Sequence, residues 1–291
     1  MTKPILITGG AGSVGRQLAA MLLNEGRQVR IFDLPAMDFT GLEGERHVEV
    51  IKGDITDLDS VSEAVSNVDA ILHLAAILPP NSETNRDVTF KVNVDGTRNI
   101  VNGIKQRAPD ATLVFTSSIS TYGDTSGENH PVSVGQPQKA IDVYADSKIA
   151  GEVVITESKV NFVILRIASI AVPGFLEPPE PWPFTEDQRV EMVHRDDVAD
   201  ALKAAVDSKE SIGKIYNIAG GSTWRLYGKN YVEDFFKVMG APLDIAVYRE
   251  TIGWNDWYDT DESQKILGYQ NRNYQYYCDQ MKAIVEDMME G

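Results

Sequence analysis

Apolar residues in the first half of the chain fall in short runs separated by amphipathic stretches. Runs at 5–8, 29–32, 48–52, 70–74, 113–117 and 162–166 are rich in Val, Ile, Leu and Phe and too short for helices. Near-continuous apolarity over four to seven positions is the signature of parallel strands covered on both faces. Between them, residues 14–24, 58–65, 88–107 and 143–157 carry apolar positions at helical spacing. Strand and helix thus alternate, which predicts an α/β fold with a doubly wound parallel sheet and right-handed crossovers.

The pattern changes after Arg166. Residues 172–184 hold five prolines (Pro173, Pro178, Pro179, Pro181 and Pro183), which exclude a central strand or helix and predict a loop leaving the sheet. A helix at 196–206 and a strand at 215–218 follow, and both are expected to return to the sheet. This divides the chain into a dinucleotide-binding Rossmann-type domain at 1–168 and a smaller C-terminal substrate-binding region at 169–291, with 196–218 packing back on the first. The chain has 27 Lys and Arg against 43 Asp and Glu, a net charge of −16, so nucleic acid is not an expected partner. No run of eighteen apolar residues is present, so no membrane span is expected. The single cysteine, Cys278, excludes an internal disulfide and suits the reducing cytoplasm, and the four scattered histidines predict no metal site.

Candidate chemistry begins at the end of the first strand. Thr8-Gly9-Gly10-Ala11-Gly12-Ser13-Val14-Gly15 runs from strand to helix and satisfies G-x-x-G-x-x-G through Gly9, Gly12 and Gly15. Glycine there permits a tight turn and close approach to a pyrophosphate, and the helix start at Ser13 and Val14 offers free N–H groups to phosphate. Asp33 ends the second run, where a carboxylate accepts adenosine ribose hydroxyls and repels a 2′-phosphate. The expected cofactor is therefore NAD rather than NADP.

Tyr144 and Lys148 lie four apart in the 143–157 pattern and so share a helix face. A free phenol, with a pKa near ~10, is a poor base at neutral pH, whereas a neighbouring ammonium favours the phenolate.

Taken with these, a series of ordered motifs resembles the extended short-chain dehydrogenase/reductase superfamily, in its NAD-dependent epimerase/dehydratase branch. The motifs are Gly53-Asp54-Ile55, His73-Leu74-Ala75-Ala76, Asn93-Val94-Asp95-Gly96-Thr97, Phe115-Thr116-Ser117-Ser118 continuing to Tyr122-Gly123, Leu165-Arg166, and Val193-His194-Arg195-Asp196-Asp197. The resemblance implies catalytic roles for Ser118, Tyr144 and Lys148. Ser118 would polarise the substrate oxygen, Tyr144 would exchange its proton, and Lys148 would orient the ribose and tune Tyr144. It also implies cofactor contacts from Asp54, Ile55, Leu74, Ala75, Ala76, Asn93 and Ile167 beside those of the glycine-rich loop. His194 is expected to be a packed strand residue and Asp196 a helix N-cap.

Departures from the family pattern narrow the expectation. The 4,6-dehydratases carry an Asp-Glu pair where this chain has Ile119 and Ser120. Their elimination chemistry is therefore not expected. The nucleotide-sugar epimerases place an Asn where this chain has Ser169, and Arg189 is displaced by one from their usual diphosphate-binding Arg. The loop around Arg189 is acidic and the connection short, which predicts a substrate smaller than a nucleotide sugar. Ser118, Ser169, Trp182, Arg189, Trp224 and Arg225 are the candidate substrate contacts, with Arg189 a candidate partner for a carboxylate. The expected function is hydride transfer at a secondary alcohol carbon of a sugar-like or other small hydroxylated molecule. The alternatives are a nucleoside-diphosphate-sugar 4-epimerase and a non-catalytic NAD-sensing protein. The resembled family also implies a homodimer, through Val92, Ile100 and Ile104 on one helix and Ile149, Val153 and Ile155 on another.

Overall fold

The computed structural model describes residues 3–174 and 177–290, so Phe175 and Leu176 of the proline-rich loop lie outside the described residues. Strands β1 (Ile5–Thr8), β2 (Val29–Asp33), β3 (Val48–Lys52), β4 (Ala70–His73), β5 (Thr112–Ser118) and β6 (Asn161–Ile167) are the six expected runs, with ends shifted by one residue at most. With β9 (Lys214–Ile218) they form a parallel sheet in the order β3-β2-β1-β4-β5-β6-β9. That is the doubly wound Rossmann order, extended by one edge strand.

Side-chain alternation explains why these runs are apolar throughout. Ile5, Ile7, Leu72, Val114 and Leu165 point to one face, where they meet Leu18, Ala19 and Leu22 of α1 (Ser13–Asn24) and Val198, Ala201 and Leu202 of α6 (Arg195–Asp207). Leu6, Ile71, Leu113, Phe115 and Ile164 point to the other. There they meet Val61 of α2 (Leu58–Ala64), Ile100 and Ile104 of α4 (Gly96–Arg107) and Ile155 of α5 (Val143–Thr156). Every such residue is essentially inaccessible to water, and each Val, Leu, Ile or Phe among them contributes on the order of 1.5–3 kcal/mol of burial.

The long helix expected at 88–107 is interrupted. A short α3 (Arg86–Phe90) continues through a π-helical turn at Lys91–Asp95 into α4. The wider turn carries the Asn93 side chain inward, where its amide accepts from the Ile77 N–H at 2.7 Å and donates to the Ile77 carbonyl and to Ser147 Oγ. Such turns recur beside functional sites because they re-aim one side chain without ending the helix.

Past β6 a second sheet, β10-β8-β7, is built from β7 (Ser169–Ala171), β8 (Arg189–His194) and β10 (Arg225–Tyr227). Trp182, Phe184 and Trp224 pack with Tyr231 and Phe236 of α7 (Gly228–Met239) and Tyr277 of α9 (Tyr274–Glu290) into a separate aromatic core. A short α8 (Asp261–Leu267) precedes that last helix. The N-cap of α6 is His194 rather than Asp196: its Nδ1 accepts from the Asp196 N–H at 3.1 Å while the ring closes the buried end of β8.

Candidate active site

The glycine-rich loop is shaped by contacts that leave no room for side chains. Gly9 has φ +69°, and a Cβ there would lie 2.9 Å from the Ala75 amide nitrogen. A Cβ on Gly15 would lie 2.6 Å from the Gly10 Cα, so helix α1 starts hard against the loop only because position 15 carries no side chain. Gly12 caps α1 without a side chain, and the first N–H groups of the helix are therefore directed outward with their partial positive charge. Asp33 Oδ2 accepts from the Ala11 N–H at 3.0 Å and Oδ1 from the Leu34 N–H at 2.8 Å, which fixes the carboxylate at the loop's edge. Arg30 turns away to Glu49 and to the carbonyls of Ala64 and Ser66. Arg16 reaches the same neighbourhood, but its guanidinium is taken up by the Ala11, Asp38 and Thr40 carbonyls.

The C-terminal ends of β1, β4, β5 and β6 open onto one cleft of about 470 Å³. Gly9, Gly12, Ser13, Val14, Gly15 and Leu74 line one end of it. Ser118, Tyr144, Lys148 and Ile167 line the middle. This is the crevice in which open α/β sheets bind ligands.

Within it the three candidate catalytic side chains are differently held. Lys148 is 3% exposed and donates from Nζ to the Thr116 carbonyl at 2.8 Å. Burial lowers its pKa to about 8, opposed by the Glu152 carboxylate. Burial, with the nearby Asp142 carboxylate, pushes the Tyr144 phenol well above its ordinary value. Ser118 Oγ accepts from both the N–H and the hydroxyl of Ser120, at 3.1 and 2.9 Å, which leaves its own proton to donate. The neighbouring Ser117 points across the strand and donates to Glu152 Oε1 at 2.5 Å. Glu152 in turn holds Arg166 through a two-pronged ion pair, with Arg166 also on the Tyr122 hydroxyl. Ser117 lines the cleft too, but its hydroxyl is committed to this buried network.

His73 is fixed between Thr8 Oγ1 and Thr97 Oγ1 and, being fully buried with Lys148 nearby, has its pKa lowered to about 3. It is a neutral strut joining β1, β4 and α4. Ala75 donates its N–H to Thr8 Oγ1 at 3.2 Å. The Gly53 N–H bonds the Asp33 carbonyl, so Asp54 and Ile55 follow directly beside the Asp33 end of the loop, Asp54 exposed and Ile55 buried.

Not every candidate side chain reaches the cleft. The Asn93 amide is occupied by Ile77 and Ser147, so it braces the loop after β4 against α5 instead of facing a cofactor. Trp182 and Trp224 are aromatic-core residues, 4% and 1% exposed. Arg189 is bonded by Nε to the buried Asp256 at 2.8 Å, beside His130, and lies over the Trp257 ring. Arg225 bonds the buried Glu191 and the Tyr258 carbonyl. Both arginines neutralise buried carboxylates and neither lines the cleft. Ser169 does, and it is joined there by Leu78, Pro79, Asp142, Ile170 and Trp254, which sequence reasoning missed. The available signal was the tryptophan-rich run Gly253-Trp254-Asn255-Asp256-Trp257, whose composition alone does not tell cleft from core. No group of three His, Cys, Asp or Glu able to hold a metal occurs among the described residues.

The NAD dependent epimerase/dehydratase family model matches residues 5–219, from β1 to the end of β9. The chain belongs to that family. NAD is the cofactor of this family, and the glycine cradle, the uncapped helix start and the fixed Asp33 fit it. Among relatives, D-erythronate dehydrogenase of Cupriavidus necator is 32% identical over 188 residues, 58% of this chain and 56% of its own. A 3 beta-hydroxysteroid dehydrogenase/Delta 5-->4-isomerase of Mycobacterium tuberculosis is 36% identical over 155 residues, 51% of this chain and 40% of its own. The chain spans about half the length of the curated relatives it matches. Among solved structures, the dTDP-glucose 4,6-dehydratase DesIV of Streptomyces venezuelae, with NAD bound, superposes with a TM-score of 0.82 at 21% identity, covering 99% of this chain and 97% of that one. A short-chain dehydrogenase/reductase superfamily protein of Agrobacterium tumefaciens, with bound NAD, gives 0.78 at 21% identity, covering 98% of each. These two likenesses concern the fold.

Proposed function

We propose that this family member is an NAD-dependent oxidoreductase acting at a secondary alcohol carbon of a small hydroxylated substrate, sugar-like or otherwise. The observation that carries the reading is the convergence of the Gly9, Gly12 and Gly15 loop with Ser118, Tyr144 and Lys148 on one cleft. When bound, NAD accepts or supplies the hydride. Ser118 donates its free proton to the substrate oxygen and holds the carbinol carbon in place. Tyr144 exchanges the hydroxyl proton with that same oxygen. Lys148 keeps a positive charge beneath the phenol, opposing the burial and the Asp142 charge that hold Tyr144 protonated. The dehydrogenase names of both relatives above support net oxidation or reduction.

Incubating the pure protein with NAD and a panel of sugars, sugar acids and simple secondary alcohols tests this, with NADH followed by absorbance and product stereochemistry by NMR. NADH accumulation supports the reading. Inversion at a carbinol centre without NADH would place epimerisation first.

We further infer a cytoplasmic homodimer. Among the described residues no helix is long and apolar enough to cross a membrane. Of the apolar residues expected at the dimer face, Ile100, Ile104 and Ile155 are fully buried in the chain's own core, while Val92 and Ile149 are half-buried and Val153 is exposed. Val88 of α3, 49% exposed, adds to Val153 of α5, 46% exposed, and to half-buried Ile149 as the apolar residues that remain for a partner. A monomeric mass by light scattering at micromolar concentration would refute it.

A further inference from the structure

The substrate end of the cleft differs in character from the cofactor end. Beyond Tyr144 its walls are Leu78, Pro79, Ile170 and Trp254, with Ser169 and Asp142 between them. Lys148 is the one cation lining the whole cleft among the described residues, and it lies beneath Tyr144 on the Thr116 carbonyl. Arg189, the cation that sequence pattern offered for an anionic substrate, is bonded to Asp256. Burial raises the Asp142 pKa and the nearby Arg249 only partly opposes this, and Arg249 is not among the residues that line the cleft. Apart from Asp142, the polar handles at this end are neutral. Ser169 Oγ is 3.4 Å from Asn255 Oδ1, and Asn255 Nδ2 is buried with no partner among the described residues.

The wall is also firmly held. Gln188 donates to the Gly253 and Asn255 carbonyls at 2.9 and 2.8 Å and accepts from the Gly253 N–H at 3.1 Å. The Trp254 carbonyl accepts from the Tyr258 hydroxyl, and Asp256 is fixed by Arg189 and Thr125. The shape presented by Trp254 is therefore set before substrate arrives.

We propose that the cleft selects an uncharged alcohol or ketone with an apolar body, and that Asp142 excludes anionic substrates such as sugar acids and nucleotide sugars. A carboxylate or diphosphate placed here would meet a carboxylate of like sign and no guanidinium in the cleft lining, with apolar walls to strip its water. An apolar body covers Leu78, Ile170 and Trp254, while its single oxygen finds Ser118 and Tyr144. This rests on the oxidoreductase reading only for which oxygen reacts; the preference itself concerns binding.

The test is calorimetry on the NAD-loaded protein with 4-phenyl-2-butanol, D-erythronate and UDP-glucose, with NADH followed in parallel. Binding of the phenylbutanol at least tenfold tighter than either anion supports the proposal. Equal or tighter binding of either anion, or no measurable binding of the phenylbutanol, overturns it. If the binding order holds and no alcohol yields NADH, the oxidoreductase reading fails while the substrate class stands. NADH formed fastest from D-erythronate leaves the reading intact and overturns the substrate class. Asp142→Asn keeps the cap on the Ala145 N–H, because Asn caps as well as Asp. It should shift the ratio of phenylbutanol to erythronate affinity at least tenfold towards erythronate. An unchanged ratio would overturn the role given to Asp142.

Discussion

Lys148 Nζ lies 5.6 Å from the centre of the Tyr144 ring, one helical turn away on α5, and is anchored on the Thr116 carbonyl of β5. The two groups are shifted oppositely. Burial depresses the ammonium to about 8 and raises the phenol, so each charged form is costly alone and favoured by the other.

A stability consequence follows for Lys148. Its folded pKa of about 8 lies below the ordinary 10.5, so between those values the unfolded chain binds more protons than the folded one. Stability contributed by this group therefore rises as pH increases through that window. Removing the ammonium removes the effect. Lys148→Met should flatten the difference in unfolding free energy between pH 8 and pH 10.5 relative to the parent. Denaturant melts at both pH values check this, and an identical pH slope in the variant would contradict the assignment.

The two adjacent serines should separate cleanly. Ser118→Ala removes a free donor facing the cleft and should lower kcat by about 10²- to 10³-fold with little change in melting temperature. Ser117→Ala withdraws a hydrogen bond from buried Glu152 and should cost about 1–3 kcal/mol of stability with kcat changed much less. Paired kinetics and denaturant melts decide it. A larger kcat loss for Ser117→Ala would shift the catalytic hydroxyl by one residue.

The strands were legible because a sheet covered on both faces admits only apolar side chains, so each buried run marks its own ends. Ile5–Thr8 shows this, with all four residues fully buried. The glycine loop was legible because Gly15 and Gly9 answer steric demands that no other residue meets. The substrate wall was not. A tryptophan reads alike in a core and in a cleft, and only tertiary packing places Trp182 among Phe184, Tyr231 and Phe235 while leaving Trp254 on the cleft. Arg189 misled for a related reason, since its buried partner Asp256 lies 67 residues further on. The π turn at Asn93 is also absent from helical periodicity, which assumes a regular repeat.

Cofactor choice provides another check. Asp33 is fixed by the Ala11 and Leu34 N–H groups with its charge at the end of β2. The parent should bind NAD at least tenfold more tightly than NADP. Asp33→Ala should narrow that ratio and weaken NAD itself, because the loop loses the bond at Ala11. Tighter NADP binding by the parent, measured by calorimetry, would refute the role of Asp33.

In the proposed function Tyr144 moves the proton while hydride passes to NAD in this cleft. The direct measurement is single-turnover transfer of deuterium from a carbinol-deuterated secondary alcohol that the parent oxidises, read in the recovered cofactor by NMR. The expected result is stereospecific transfer to the nicotinamide by the parent protein, and transfer slowed at least a thousandfold in Tyr144→Phe with NAD affinity unchanged. Transfer by Tyr144→Phe within a few-fold of the parent rate would contradict it.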